Sequence, residues 1–342
     1  MKVLVGIPTY GNVRFGYTIR ETLEGLVNQT FKDFRVLIVY KPMKDDKTLD
    51  VVSEYSDKLD VEVLVQRNGY FVDAVNMILE VARDYDITLT TDDDAIPGPK
   101  WVAEHISMHR AHEKIGVLSG LVNNSFRVEI GSGNKFLAFI KKISGFYTPL
   151  FKDYIERGYI GYINDIGLSV INPSYDYEYV KHRDKIYGPP IGVNMSFKSR
   201  LLDNFGLPPY SIKGLHNENL LATYYLIKYK MYSSIFRGAN VIHLERESLS
   251  RAKSKEELCK LLAEHCLLPY GLYSIGVKVN MRKLKLYSLI KPLYSRLKET
   301  YRYDGCLYGI RLAIEAIENN YTPLEVRNKL KNSIYNKCKV NL

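Results

Sequence analysis

Ile87-Thr88-Leu89-Thr90-Thr91-Asp92-Asp93-Asp94-Ala95-Ile96-Pro97-Gly98-Pro99 is the stretch that decides the fold. Five β-prone residues run straight into three carboxylates, and a loop rich in Pro and Gly follows. Adjacent carboxylates repel one another, so burying them together without a counter-ion is costly. At the carboxyl end of a sheet strand they face the crevice where α/β proteins bind ligands. A hard divalent cation, Mg²⁺ or Mn²⁺, takes oxygen ligands from one or two carboxylates plus substrate phosphates and so relieves the repulsion. Taken by itself, the triplet also fits a solvated acidic turn.

Outward from this strand, the first 120 residues alternate two periods. Strand-like runs at 3–7, 34–40 and 61–65 are separated by helical spacing over 17–30, 48–55 and 71–83. This pattern predicts right-handed βαβ units and a mostly parallel sheet. A helix over 101–112 and a strand over 116–122 extend it. Residues 123–187 are rich in Gly and Tyr and read as an irregular insertion lining an acceptor site. A Gly/Pro loop then runs into a strand near 192–197, a helix is expected over 217–229, and strands over 231–236 and 239–244. From 254 onward the pattern is mostly helical.

The chain has 342 residues, 46% hydrophobic and 25% charged, which is the balance of a globular protein and excludes a disordered one. No secretory leader is expected, because the first apolar run is short and breaks at Pro8. No stretch approaches the roughly 18–20 apolar residues of a membrane span. Cys259, Cys266, Cys306 and Cys338 form no C-x-x-C pair and read as reduced, cytosolic packing residues. The last 97 residues hold 19 Lys and Arg against 9 Asp and Glu, which is the whole of the +10 net charge. That asymmetry points to an anionic partner surface and to a boundary near Glu245.

Five segments in order resemble the family-2 glycosyltransferases of the GT-A fold. Val5-Gly6-Ile7-Pro8-Thr9-Tyr10 is similar to the family's opening strand and nucleotide loop, and 22–34 to the helix that follows. Asn68-Gly69 with Ala74-Val75-Asn76 resembles its Asn-x-Gly…Ala-x-Asn helix. Asp92-Asp93-Asp94 with Pro99-Lys100-Trp101 resembles its D-x-D loop. Gly192-Val193-Asn194, Glu218-Asn219 and His243 resemble its later elements. The resemblance covers about 3–245. It implies a GT-A domain over 1–245, with a nucleotide-binding half (1–122) and an acceptor-binding half (123–245), followed by a basic helical region over 246–342.

The resemblance also implies roles. Asp94 would contact the metal directly, with Asp92 on ribose or a metal-bound water and Asp93 as the variable middle position. His243 would complete the metal shell or contact phosphate. Pro8, Thr9, Tyr10, Asp73 and Asn76 would lie on the donor side, and Trp101, Gly192 and Asn194 on the acceptor side. The family's base is the Asp of Glu-Asp, but Asn219 stands there and cannot accept a proton, so Glu218 is the candidate base. An exposed helix-start Glu favoured by the helix dipole is the alternative for Glu218. The family's second strand usually ends in Asp that reads the base. Here it ends in Tyr40-Lys41, so Tyr40 is expected to stack on the base and Lys41 to meet phosphate. His105, His109 and His112 share a helix face and read as surface or packing residues.

The expected activity is an inverting, metal-dependent transfer of sugar from a UDP- or GDP-type donor to the hydroxyl of a glycan or lipid-linked acceptor, with Mn²⁺ or Mg²⁺. The rivals are a non-catalytic module of the same fold and a sugar nucleotidyltransferase. Residues 278–302 carry eight basic residues and one acid beside an apolar stripe, with Pro292 expected to kink or split the helix. Such a stripe suits an anionic membrane surface or packing on the catalytic domain. Nucleic acid is not expected. The location expected is cytoplasmic, peripheral at the inner membrane face.

Overall fold

The computed structural model describes residues 1–123, 161–171, 190–244, 254–295 and 301–340. In chain order the strands are β1 (Val3–Tyr10), β2 (Arg35–Lys41), β3 (Asp60–Val65), β4 (Ile87–Thr91), β5 (Ala95–Pro97), β6 (Ile115–Ser119), β7 (Gly161–Ile163), β8 (Ser169–Ile171), β9 (Asn194–Phe197), β10 (Tyr232–Ile235) and β11 (Val241–His243). The helices of the first unit are α1 (Ile19–Val27), α2 (Thr48–Ser53), α3 (Phe71–Ala82), α4 (Trp101–Ala111) and α5 (Asn217–Tyr229). Those of the second are α6 (Lys255–His265), α7 (Leu268–Ser274), α8 (Met281–Ser295), α9 (Tyr301–Glu318), α10 (Pro323–Lys329) and α11 (Tyr335–Val340).

The described residues form two compact units, each assembled from separate stretches of chain. The first contains 1–123, 190–207 and 217–244. Its seven-stranded sheet runs β10-β6-β9-β4-β1-β2-β3. Every neighbouring pair is parallel except those made by β9, which is antiparallel to both β4 and β6. The continuous apolar runs in β1, β2 and β6 are buried along almost their whole length, as strands covered on both faces must be. One core packs Val5, Ile7, Val36, Ile38, Leu89 and Trp101 together. This is the α/β sheet with flanking helices that the sequence implies.

Two local expectations change. Residues 95–99 read as a loop, yet Ala95–Pro97 is a strand that pairs antiparallel with β11 in a separate small sheet. Pro97 ends this strand, where the missing N–H costs no central ladder bond. The second change is β9, the single antiparallel strand of the large sheet. Its backbone bonds both neighbours, so β4 sits inside the sheet with the acidic triplet at its carboxyl end.

The second unit holds 161–171, 208–216 and the segments from 254 onward. β7 and β8 form a hairpin. Helices α6 and α9 cross at close range through Gly305 and Gly309. A methyl group at either would come within 2.2 Å of the Cys259 or Ala263 carbonyl oxygen. The cysteines are not reduced thiols: Cys259 bonds Cys338 and Cys266 bonds Cys306, with Cα separations of 5.7 and 5.1 Å. Paired cysteines belong to oxidising compartments or to the interiors of hyperthermophiles. Pro292 does not split α8, which is continuous from Met281 to Ser295.

Glu264, fully buried on α6, anchors the 208–216 segment. Its carboxylate accepts bonds from the amides of Ile212, Lys213 and Leu215 and from the hydroxyls of Ser211 and Tyr335. Among the described residues no helix is long and apolar enough to cross a membrane. Of the expected acceptor-lining insertion, 124–160 and 172–187 lie outside the described residues, as do 296–300 of the basic segment.

Candidate metal and donor site

The small β5–β11 sheet explains how residues 150 positions apart in sequence converge. His243 pairs with Ala95, the residue after Asp94. The Leu244 N–H donates to the Asp94 carbonyl at 2.9 Å, and Asn123 Oδ1 accepts the His243 N–H at 2.8 Å. The His243 Nε2 therefore lies 3.2 Å from Asp94 Oδ1 and 3.9 Å from Asp92 Oδ2. Asp92 is over a third exposed, at 37%, whereas Asp94 and His243 are largely covered, at 5% and 11%. One ligand atom from each of the three lies within 4.8 Å of the others. Two hard carboxylate oxygens and an imidazole nitrogen suit Mn²⁺ or Mg²⁺, whose remaining positions are usually taken by water and substrate phosphate.

Asp93 has a different task from its neighbours. It is buried, and its Oδ2 accepts from Thr9 Oγ1 at 2.5 Å and from Asn12 Nδ2 at 2.7 Å. The Thr18 hydroxyl donates to its carbonyl at 3.0 Å. The middle carboxylate thus ties the acidic loop to the end of β1 and the start of α1. Thr9 is consumed by the same bond. Asp93 and Thr9 thus serve the frame of the acidic loop.

The donor-side expectations divide in the same way. Tyr40 is buried at 4% in the core with Val36 and Ile38, so it cannot stack on a base; this corrects the expectation for it. Tyr10 is 49% exposed at the end of the adjacent strand β1, with Pro8 two residues before it half-buried. Lys41 Nζ donates to the Gly69 carbonyl at 2.6 Å and lies 5.2 Å from the Tyr10 ring centroid and 5.8 Å from that of Tyr70. A cation between two aromatic faces is held by their quadrupoles. Asp73 closes a capping box at the start of α3, its Oδ2 taking the Tyr70 N–H at 2.6 Å. Asn76 grips the backbone of Leu207 with both its amide groups, at 2.8 and 2.7 Å. Asp73 and Asn76 are therefore committed to the frame.

On the far side of β4 a turn at 191–194 hangs on the strand end. Thr90 Oγ1 donates to the Gly192 carbonyl at 3.4 Å and Thr91 Oγ1 to that of Val193 at 3.0 Å. Glu218, in the first turn of α5, places Oε2 about 4.0 Å from where a methyl on Gly192 would stand. Burial pushes the Glu218 carboxyl up to about 7, overriding the helix-start position. Asn219 follows it and its carbonyl accepts from Thr223 Oγ1 at 2.7 Å. Trp101 and Asn194 are both fully buried and bonded to each other, Nε1 to Oδ1 at 2.8 Å. They are core residues, not an acceptor surface; of the three expected there, only Gly192 borders Glu218. His105 and His109 are packing residues, and burial lowers them to about 4 and about 3.

Sequence reasoning missed Asn12, Thr18, Tyr70 and Asn123. Asn12, Thr18 and Asn123 bond residues far along the chain, which leaves no local signal, whereas Tyr70 meets Asp73 three residues on, a spacing that carries the signal of a helix cap.

Residues 4–162 match the family model described as glycosyl transferase family 2. No curated protein matches the chain. Among solved structures, S. aureus TarS 1-349 in complex with UDP is similar at 15% identity and a TM-score of 0.48, covering 94% of this chain and 92% of that one. The mannosyltransferase PcManGT from Pyrobaculum calidifontis, in complex with GDP-Man and Mn²⁺, is similar at 14% identity and a TM-score of 0.48, covering 93% and 87%. Both likenesses are too distant to bear on donor or acceptor.

Proposed function

Since residues 4–162 match the glycosyl transferase family 2 model, we propose that this chain moves a sugar from a nucleoside diphosphate donor to a hydroxyl acceptor in one inverting displacement, with Mn²⁺ or Mg²⁺ held by Asp92, Asp94 and His243. The observation that carries this reading is the Asp–Asp–His group at the end of β4, together with the Glu218 carboxyl, raised to about 7, beside the Gly192 turn that hangs on the same strand end. A divalent cation held there supplies positive charge against the departing diphosphate.

The remaining chemistry falls to the chain's own residues. Glu218 takes the proton of the acceptor hydroxyl, whose oxygen bonds the anomeric carbon. The bond from that carbon to the diphosphate breaks on the opposite face, and the diphosphate leaves with the electron pair. A base near 7 is matched to proton transfer at neutral pH. This tuning favours an enzyme over a binding module that has lost its base. Asn219 orients the acceptor or the turn and takes no proton. Tyr10 offers an exposed ring to the nucleobase, and Lys41 beside it fixes that ring. No acidic residue ends β2 to read the base, so UDP- and GDP-type donors both remain substrates to test.

The acceptor is a glycan or a lipid-linked hydroxyl. Support for the lipid comes from α8, which buries Leu284 but exposes Leu286 and Leu289, at 53% and 71%, beside exposed Arg282 and Lys285. Two outward leucines among cations suit an anionic leaflet.

The test is nucleoside diphosphate release from UDP-glucose, UDP-N-acetylglucosamine and GDP-mannose with Mn²⁺. Release that is lost in Asp94→Ala and Glu218→Gln supports the reading. Full release by either variant refutes its site. Flotation with phosphatidylglycerol vesicles addresses the lipid: Leu286→Asp/Leu289→Asp should lose recovery, and equal recovery removes the membrane surface.

A further inference from the structure

His243 rides on a three-residue strand, and three residues of ladder do not fix a register by themselves. Side chains alternate along a strand, so a slip of one residue turns His243 to the opposite face. Something outside the ladder must therefore set where β11 begins.

The turn before β11 is held by backbone bonds, Leu121 N–H to the Gly238 carbonyl at 3.0 Å and Gly98 N–H to the Asn240 carbonyl at 2.9 Å, and by two side chains that meet at Ala239. Ala239 is buried at 1% and has a φ of 45°, the left-handed region that a side chain disfavours. Both of its backbone groups are gripped. Its N–H donates to Glu104 Oε2 on α4, and its carbonyl accepts from Asn194 Nδ2 at 2.7 Å. Asn194 is itself saturated. Its second amide hydrogen goes to the Leu121 carbonyl at 2.7 Å, and its Oδ1 accepts from Trp101 Nε1 at 2.8 Å and His105 Nε2 at 2.9 Å. Two donors and two lone pairs are thus all used, which leaves one orientation for the amide. Behind it, the Ser196 hydroxyl lies 2.7 Å from His105 Nδ1 and 2.9 Å from His109 Nε2, so the neutral His105 is held with its proton on Nε2. Gly120 closes the turn from below, since a methyl there would come within 2.4 Å of the Ala239 oxygen.

We infer that Glu104 and Asn194 are positioning residues for the metal site: by clamping Ala239 on both sides they set the register of β11 and so aim His243 at Asp92 and Asp94. This rests on the reading of those three residues as metal ligands. The strained Ala239 conformation persists because two side chains oppose its release, and the cost is spent four residues from a ligand.

The test is Mn²⁺ binding by calorimetry and by electron paramagnetic resonance, with Mn²⁺ alone as the probe. Glu104→Ala and Asn194→Asp should each weaken Mn²⁺ tenfold or more, as His243→Ala does. Glu104→Gln, whose amide oxygen can still accept the Ala239 N–H, should stay within about twofold of the parent. That rescue separates the clamp from a simple loss of negative charge, which both Glu104 variants share. If Glu104→Ala binds Mn²⁺ as the parent does while His243→Ala does not, the clamp is wrong and the metal site stands. If His243→Ala and Asp94→Ala also bind normally, the metal reading falls and the clamp with it. Should Asn194→Asp fail to fold, the two Glu104 variants still decide.

Discussion

Replacing Glu218 with Gln should stabilise the fold at pH 8 and hardly at pH 5. Burial holds the carboxyl at about 7 instead of its ordinary 4.5. The folded chain therefore binds this proton more tightly than the unfolded chain does, and stability falls as pH rises between those two values. Below pH 4.5 both states are neutral and nothing is lost. Above pH 7 both are ionised, and at roughly 1.4 kcal/mol per pH unit the folded state has given up as much as about 3 kcal/mol. Water reaching the partly buried side chain makes that an upper figure. Gln copies the shape of the neutral acid and removes the pH-dependent loss. The measurement is a thermal melt of parent and variant in chelator at both pH values, so that bound metal does not hold the carboxylate ionised. The variant should melt several degrees higher at pH 8 and within about 2 °C at pH 5. An equal gap at both pH values would refute the raised carboxyl, and with it the tuning argument for Glu218 as base.

Three further outcomes follow from the geometry. Asp93→Ala should cost about 2–4 kcal/mol in chemical denaturation by stripping Thr9 and Asn12 of their charged acceptor, while Asp92→Ala should cost less than about 0.5 kcal/mol; equal costs would put Asp93 outside the frame. Tyr10→Ala should raise the donor KM about tenfold with little change in melting temperature, whereas Tyr40→Ala should chiefly destabilise the fold by about 3–5 kcal/mol. Reduction should lower the melting temperature, because the loops of 79 and 40 residues closed by the two disulfides are each worth about 4 kcal/mol in the chain-entropy picture, less in sum since one loop encloses the other. Thiol titration of the unreduced protein that finds free thiols would contradict that pairing.

The sheet was legible because its strands are long, apolar and bounded by turns, and the acidic triplet marked the strand that ends at the candidate site. The β5–β11 pair was not, because three-residue strands carry no period and Ala95–Pro97 meets its partner only through a contact across nearly 150 positions. Tyr40 could have been placed correctly. Val36, Ile38 and Tyr40 share one face of β2 by simple alternation, so an inward Val and Ile imply an inward Tyr. Asp73 at the third position of α3 likewise carried a capping signal that the family resemblance obscured. The cysteine pairing was beyond reach, since four cysteines allow three connectivities and spacing does not choose among them. Trp101 and Asn194 were misplaced for a related reason: a motif tells which residues recur, whereas only coordinates tell whether they touch substrate or hold what does.

Glu264 gives the architecture a practical consequence. The stretch it anchors, 208–216, is encoded before the helix of Glu218 but belongs with the C-terminal helices. A protein ended after residue 245 would strand the amides of Ile212, Lys213 and Leu215 just upstream of that helix, at about 1–3 kcal/mol for each buried group left unbonded. The C-terminal third is thus no interchangeable appendage. Grafting it onto another domain would succeed only if the nine-residue segment travelled along with it.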